Sequence, residues 1–274
     1  MNNKQLLELA VHAAFKAGEE ILKIYATDFY VETKSDNTPV TLADRTSGRT
    51  IAKILAESTI PIISEEEEVM AFHIRKDWPR VWIVDPLDGT KEYVKRNGEF
   101  AVNIALVEHG KPIIGVIYAP VLQDLYFGCH HLGSYRINRS EIAGDANPTA
   151  DALFDLAVRL PSQKVPATYT MIASRSHISR EIYVHIEDLK KIYDVVNVIS
   201  VGSSIKQCWV AEGRAHEYPR YGPTMEWDTA AGQCILEESG NQLIDLNTEL
   251  PMVYNRENMR NSYFIAKNSF RNTL

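Results

Sequence analysis

The chain has little cysteine, no long apolar run and no excess of positive charge, and each shortage excludes a class. Three cysteines in 274 residues, Cys129, Cys208 and Cys234, are too few and too scattered for a disulfide framework or a zinc site. Cys208 and Cys234 stand in apolar, helix-like surroundings and read as small core filler. No run approaches the length of a membrane-crossing helix, and the N-terminus has no charged-then-apolar leader pattern, so a reducing, cytoplasmic location is expected. Lysine and arginine number 29 against 36 aspartates and glutamates, a net charge of −7. That balance argues against a nucleic-acid-binding surface but leaves room for an anionic substrate where metals and local bases offset the field. No internal repeat is present, and the only biased tract is Glu65 to Glu68.

With 45% apolar residues, the chain can bury a sizeable core, in one large domain or two smaller ones. Leu6, Leu9, Ala10, Ala13, Ala17, Ile21 and Ile24 recur at helical spacing and predict a helix over 3–26. A second helix is expected from near Thr41, carrying Ile51, Ile54 and Leu55 inward. Pro61 to Ser64 reads as a short strand ending in the glutamates. Strands are expected over 100–107, 112–118 and 124–128, with His109-Gly110 as a hairpin turn, which makes an antiparallel meander. The polar tract over 138–168, rich in proline, glycine and aspartate, places a domain boundary near its start and divides the chain into 1–140 and 141–274. Residues 149–160 read as a helix of their own. Beyond it, strands over 170–173, 195–200, 215–219, 242–246 and 262–266 alternate with helices over 179–192, 203–212 and 228–239. Gly240 stops the last of these helices. The fold class is therefore α/β, an α+β N-terminal half followed by an α/β half with mostly parallel strands.

The most informative stretch runs from Val81 to Thr90. Four buried-looking residues end in Asp85 and Asp88, with Pro86 fixing the backbone between them and Gly89 freeing it afterwards. A strand stopping at Asp85 would bring both carboxylates to one point at the edge of a sheet. Two like charges ~4 Å apart cost about 4 kcal/mol near a protein surface, so converging carboxylates usually hold a cation, and hard divalent ions take oxygen ligands. Asp-Pro-x-Asp-Gly alone is also what a surface turn is made of. The apolar run before it and Thr90 after it favour a site. Residues 90–96 read as a short helix, whose free N-terminal amides suit phosphate.

Other acidic candidates need context. Glu65 sits at a strand end, while Glu67 and Glu68 read as solvated surface. Asp228 follows Trp227 and opens a helix of small residues, where a plain N-cap is the simpler reading. Asp36 suits a turn, and Asp44 falls in the first turn of the second helix. His130-His131 has no partner at ligand spacing and reads as loop.

Four segments occur in order: Asp36 to Asp44, Ser64-Glu65-Glu66, Asp85 to Thr90, and Trp227 to Gly232. Together they resemble the signature of the inositol-monophosphatase superfamily of magnesium-dependent, lithium-sensitive phosphatases, over almost the whole chain. Within it the chain is most similar to the bacterial bisphosphate-nucleotidase branch. That likeness rests on Asp88 to Phe100, Val102 to Leu106, Gly115 to Pro120, Ser174 to His177, Gly202 to Lys206 and Tyr218 to Thr224.

The resemblance implies a layered αβαβα sandwich with the site between its halves, the first holding metal and phosphate and the second completing the metal site and holding the nucleotide. One magnesium ion would be held by Glu65, Asp85 and the Leu87 carbonyl, and a second by Asp85, Asp88 and Asp228. Charge counting leaves room for a third near Asp44. Thr90 would pair with Asp44 to position and deprotonate the attacking water, with Glu65 in contact. Leu87, Asp88, Gly89, Thr90 and Asp228 would face the phosphate, and His177, Ser203, Lys206 and Arg220 the adenosine and its 5'-phosphate. The implied reaction removes the 3'-phosphate of adenosine 3',5'-bisphosphate, giving AMP and phosphate, and extends to the sulfated precursor. Inositol or sugar phosphate hydrolysis is the alternative substrate reading, and a non-catalytic nucleotide sensor the alternative class. Peripheral attachment to the inner membrane face, found in the family, leaves no signature here, and oligomeric state is not legible. Ser64 replaces a common glycine, Tyr93 a common phenylalanine, and the segment over 142–168 is longer than usual with no assigned role.

Overall fold

The N-terminal apolar stripe forms α1 (Asn3–Tyr25), opened by a capping box between Asn2 and Gln5 and burying Leu6, Ala10, Ala13, Ala17 and Ile21. The computed structural model describes residues 1–28, 30–33, 39–142, 147–175 and 179–269. A two-stranded ribbon, β1 (Val31–Thr33) and β2 (Pro39–Thr41), leads into α2 (Leu42–Leu55), capped by Thr41. Then come β3 (Ile62–Ser64), α3 (Phe72–Arg75), β4 (Arg80–Asp88), α4 (Thr90–Val94), β5 (Ala101–Glu108), β6 (Lys111–Ala119), β7 (Asp124–Cys129) and β8 (Gly133–Asn138). His109 and Gly110 both adopt positive φ, as the tight β5–β6 turn requires. The chain continues through α5 (Ala150–Leu156), β9 (Val158–Arg159), β10 (Tyr169–Ser174), α6 (Arg180–Lys190), β11 (Val196–Val201) and α7 (Ile205–Glu212). It ends with β12 (Glu217–Arg220), α8 (Ala230–Glu238), β13 (Gln242–Asp245) and β14 (Phe264–Lys267).

Strands β3 to β9 form a seven-stranded sheet in chain order. β3 is parallel to β4 and every later pairing is antiparallel. β4 is apolar from Val81 to Val84 because both its faces are covered there. Trp82 and Val84 enter the core under α1 and α2, whereas Val81 and Ile83 enter the core shared with α7 and α8. The second sheet has five strands in the order β11-β10-β12-β14-β13. α7 and α8 lie between the sheets, and α6 packs on the far side through Ile182 and Leu189 against Met171. The result is the α/β class expected, layered αβαβα.

Two expectations are corrected. The second sheet is half antiparallel: β10 is parallel to β11 and β12, but β14 is antiparallel to both its neighbours. The irregular stretch over 246–263 returns the chain against β13, which strand-and-helix alternation does not reveal. Past residue 140 the chain is still building the first sheet. β9 pairs with β8, and Ala150 and Leu153 of α5 join the core beneath α1.

Candidate active site

β4 does not stop at Asp85. Its pairing with β5 runs to Asp85 opposite Asn103, shifts, and resumes with Asp88 opposite Ala101. Pro86 and Leu87 are accommodated by this irregularity, and such a bulge re-aims side chains. Two bonds hold it: the Leu87 amide donates to Asp85 Oδ1 at 3.0 Å, and Ser47 Oγ on α2 donates to the Pro86 carbonyl at 2.7 Å. Gly89 follows with φ of 91°, and a Cβ there would stand 3.1 Å from Ser203 Cβ and 3.2 Å from the Glu99 carbonyl oxygen. Glycine is thus required both by conformation and by the approach of the opposite wall.

Asp228 arrives from the other half of the chain. It closes a short 3-10 turn over Glu226–Asp228, and its Oδ2 accepts from the Met225 amide at 2.7 Å. The N-cap of α8 is Thr229, not Asp228. Buried Glu226 anchors the turn by accepting from the Asn255 amide at 2.6 Å and from Arg256 N and Nε at 3.0 Å. Gln207 on α7 donates to the Asp228 carbonyl at 2.8 Å.

These elements bring carboxylate oxygens of Asp85, Asp88 and Asp228 within 4.8 Å of one another. Glu65, at the end of β3, lines the same cleft. Burial pushes Asp85 well above the usual carboxylate range, and the charges of Glu65, Asp88 and Asp228 add to it. Asp228 is pushed up to about 8 by burial and then by Asp88 and Glu65. Burial raises Asp88 too, opposed by Lys206 and the Ser204 amide. Crowded, desolvated carboxylates of this kind offer the oxygen donor set that magnesium takes, and the residues fit such an ion.

Asp44 lies behind the cluster on α2 and is buried. Thr90 Oγ1 is 3.1 Å from Asp44 Oδ1 and 3.3 Å from the Leu87 carbonyl. Thr41 donates to Asp44 Oδ2 from both its amide and its hydroxyl, each at 2.7 Å. Burial raises the Asp44 carboxyl, and the Thr41 and Thr90 bonds hold it back.

The facing wall is the N-terminus of α7 with β12. Ser203 has φ of 54° and its hydroxyl accepts from the Ile205 amide at 3.3 Å. The Ser204 amide donates to Asp88 Oδ2, and Ser204 Oγ donates to Asn103 Oδ1 at 2.7 Å. Lys206 is buried, with Nζ 5.3 Å from the centre of the Tyr218 ring. Burial lowers its ammonium to about 8, with Asp88 opposing the change. Arg220 ends β12 and donates to the Pro223 carbonyl at 3.1 Å. Glu65, Asp88, Thr90, Lys206, Arg220 and Asp228 all line one cleft of about 640 Å³. His177 and Asp36 lie outside the described residues.

Sequence reasoning missed Asn103, Tyr218 and Arg260. Asn103 ties α7 to β5 and donates to the Trp227 carbonyl at 3.4 Å. Its signal was available, since it is a lone polar side chain in a strand buried on both faces. Tyr218 and Arg260 line the cleft, and nothing local distinguishes them.

Comparison with known proteins places this fold and site. The model of the inositol monophosphatase family matches residues 2–272, and the chain belongs to that family. A curated relative, the 3'(2'),5'-bisphosphate nucleotidase CysQ of Salmonella typhimurium, is 38% identical over 247 residues, 88% of this chain and 90% of its own. The protein of the same name from Escherichia coli is 39% identical over 245 residues, with the same shares covered. The crystal structure of CysQ from Bacteroides thetaiotaomicron is 44% identical and superposes with a TM-score of 0.87, covering 94% of this chain and 95% of that one.

Proposed function

We propose that the protein is a magnesium-dependent 3'(2'),5'-bisphosphate nucleotidase that converts adenosine 3',5'-bisphosphate to AMP and phosphate and also accepts the sulfated precursor. One observation carries the reading: a single cleft sets a carboxylate cluster against a wall bearing Lys206 and Arg220. Those bases suit a second phosphate on the substrate, as lysine and arginine pair with phosphate oxygens. The curated relatives named as this nucleotidase support the same substrate.

In this reading Glu65, Asp85 and the Leu87 carbonyl would hold one magnesium ion, and Asp85, Asp88 and Asp228 a second, with room for a third, weaker cation near Asp44. When bound, the ions polarise the phosphate and activate water for in-line attack. The chain's own residues do the rest. Thr90 donates its hydroxyl proton to Asp44 Oδ1, which leaves an oxygen lone pair to orient the water. The water's proton then passes through Thr90 Oγ1 to Asp44, which the Thr41 bonds hold ionised and so able to accept it. Leu87, Asp88, Gly89 and Thr90 cradle the phosphate, while Ser203, Lys206, Arg220 and His177 hold the nucleotide. We assign most metal and phosphate ligands to residues 1–140, and completion of the metal site and nucleotide binding to 141–274.

No helix among the described residues is long and apolar enough to cross a membrane. A cytoplasmic location is proposed on other grounds: the three cysteines are free and buried, as a reducing compartment allows.

Hydrolysis of inositol phosphates is the second reading, favoured by the family name; the basic wall favours the nucleotide. The test compares phosphate release with magnesium from adenosine 3',5'-bisphosphate and inositol 1-phosphate. A kcat/KM ratio of about a hundredfold for the nucleotide, ~2.7 kcal/mol of transition-state binding, is expected, with lithium inhibiting both reactions. A preference for inositol phosphate overturns the substrate, and release from neither leaves a nucleotide sensor.

A further inference from the structure

Glu99, between α4 and β5, touches three things that matter to the cleft. Its Oε2 accepts from the Gly202 amide at 2.8 Å. Both its oxygens accept from Arg175, Oε2 from Nε and Oε1 from Nη2, each at 2.8 Å. Arg175 Nη2 also donates to the Ser200 carbonyl at 2.8 Å. One carboxylate therefore joins the loop behind the phosphate turn to the ends of β10 and β11.

The backbone is equally close. A Cβ on Gly202 would stand 2.7 Å from the Glu99 carbonyl oxygen and 2.6 Å from Glu92 Cγ. Gly89 meets that same Glu99 carbonyl from the other side, 3.2 Å from where its Cβ would be. Glu99 is wedged between the glycine of the phosphate turn and the glycine that introduces Ser203 and Lys206. The inner side of this junction is held by the Ser204 amide on Asp88 and the Ser204 hydroxyl on Asn103. The outer side is held by Arg175 and Glu99.

We propose that the Glu99–Arg175 pair is a clasp that positions the 202–206 loop against the phosphate turn, so that these two residues set the enzyme's preference for nucleotide bisphosphates over small phosphate monoesters. The proposal rests on the nucleotidase reading for its substrate. The Arg175 side chain is 47% exposed and that of Glu99 19%, and ion pairs of such exposure add little to stability. What the pair determines is geometry: its bidentate fork and two backbone partners hold β11's end in one place. The phosphate turn keeps its own supports in Ser47 and Asp85, so a small substrate reacts there whether or not the clasp is closed.

The test uses Arg175→Met, which leaves Glu99 free to keep the Gly202 amide. Expected is a KM for adenosine 3',5'-bisphosphate about tenfold higher with kcat within about twofold, and kcat/KM for p-nitrophenyl phosphate within about twofold of wild type. Arg175→Lys, which returns one donor to Glu99, recovers part of the nucleotide KM. An unchanged nucleotide KM in Arg175→Met, or equal losses on both substrates, overturns the proposal. Amide exchange supplies a readout that needs no substrate. The Gly202 amide, which rests on Glu99, exchanges faster in Arg175→Met than in wild type, while the Ser204 amide, held by Asp88, and amides of β4 and β5 do not; unchanged Gly202 exchange overturns the clasp. If the wild type ignores the nucleotide, the nucleotidase reading falls and exchange still decides the clasp.

Discussion

Asp85 and Asp88 were legible because three positions of chain hold them together whatever the rest of the molecule does. Asp228 was ambiguous, since Trp-Asp-Thr reads equally well as a helix cap until the tertiary structure sets its carboxylate beside the other two. In the proposed mechanism Asp44 and Thr90 divide one task, and the division gives a prediction. Thr90→Ala removes the hydroxyl between water and base and lowers kcat by about 10²–10⁴, the usual worth of a proton-transfer group, with KM little changed. Asp44→Asn falls by the same order, and the double variant is no worse than the poorer single one, because the two act as a unit. Steady-state kinetics of the three variants checks this. Additive losses would mean that the two residues act independently. Glu67 and Glu68 are exposed, as a solvated acidic run should be.

At the scale of elements, apolar spacing located the long helices, where burial on one face imposes the period, and nearly unbroken apolar runs located the meander, whose strands are covered on both faces. The bulge in β4 was invisible, since Asp-Pro-Leu-Asp reads as the end of a strand when no neighbour is known. Two glycines of the meander show what the elements demand of each other. α8 lies so close to β6 that a Cβ on Gly115 would stand 2.2 Å from the Ala231 carbonyl oxygen. Gly128 on β7 meets the same helix, 3.1 Å from Ile235 Cα. Gly115→Ala is therefore expected to lower stability by about 1–3 kcal/mol, the usual penalty of overpacking. Because α8 begins just after Asp228, lifting the helix also moves that carboxylate, and magnesium affinity drops with stability. Thermal melts with and without magnesium check both parts. A destabilised variant with unaltered affinity would uncouple α8 from the metal site.

For the whole molecule, the cleft lies where the two halves of the chain meet, so the proposed ion binding would be linked to folding. Without metal, Asp85 and Asp228 have folded pKa values raised above their unfolded value near 3.8, with Asp228 up to about 8. A raised carboxyl means that the folded state binds more protons between the two values. Stability of the metal-free protein therefore falls as pH climbs above about 4, for Asp228 over the range up to about 8. Magnesium replaces the missing protons, so its stabilising effect is expected to be larger at pH 8 than at pH 5. At a free concentration a hundred times Kd the effect is about 2.7 kcal/mol. Melts in chelator and in magnesium at both pH values measure it, and Asp228→Asn should flatten the pH dependence of the chelated protein. A magnesium effect that does not vary with pH would mean that protons and metal do not compete at these carboxylates.

The amino-acid sequence by itself determined where the long helices and the central strands lie and which side chains share a turn. Those properties follow from covalent reach and from the period at which one face must be buried. The meeting of Asp228 with Asp85 and Asp88, the opposition of Lys206 and Arg220 to the carboxylates, the bond from Asn103 to Ser204 and the Glu99–Arg175 pair were decided only by the tertiary structure. Each depends on which strands pair and which helices fill the space between two sheets, and that choice is made by burying apolar faces far apart in the chain.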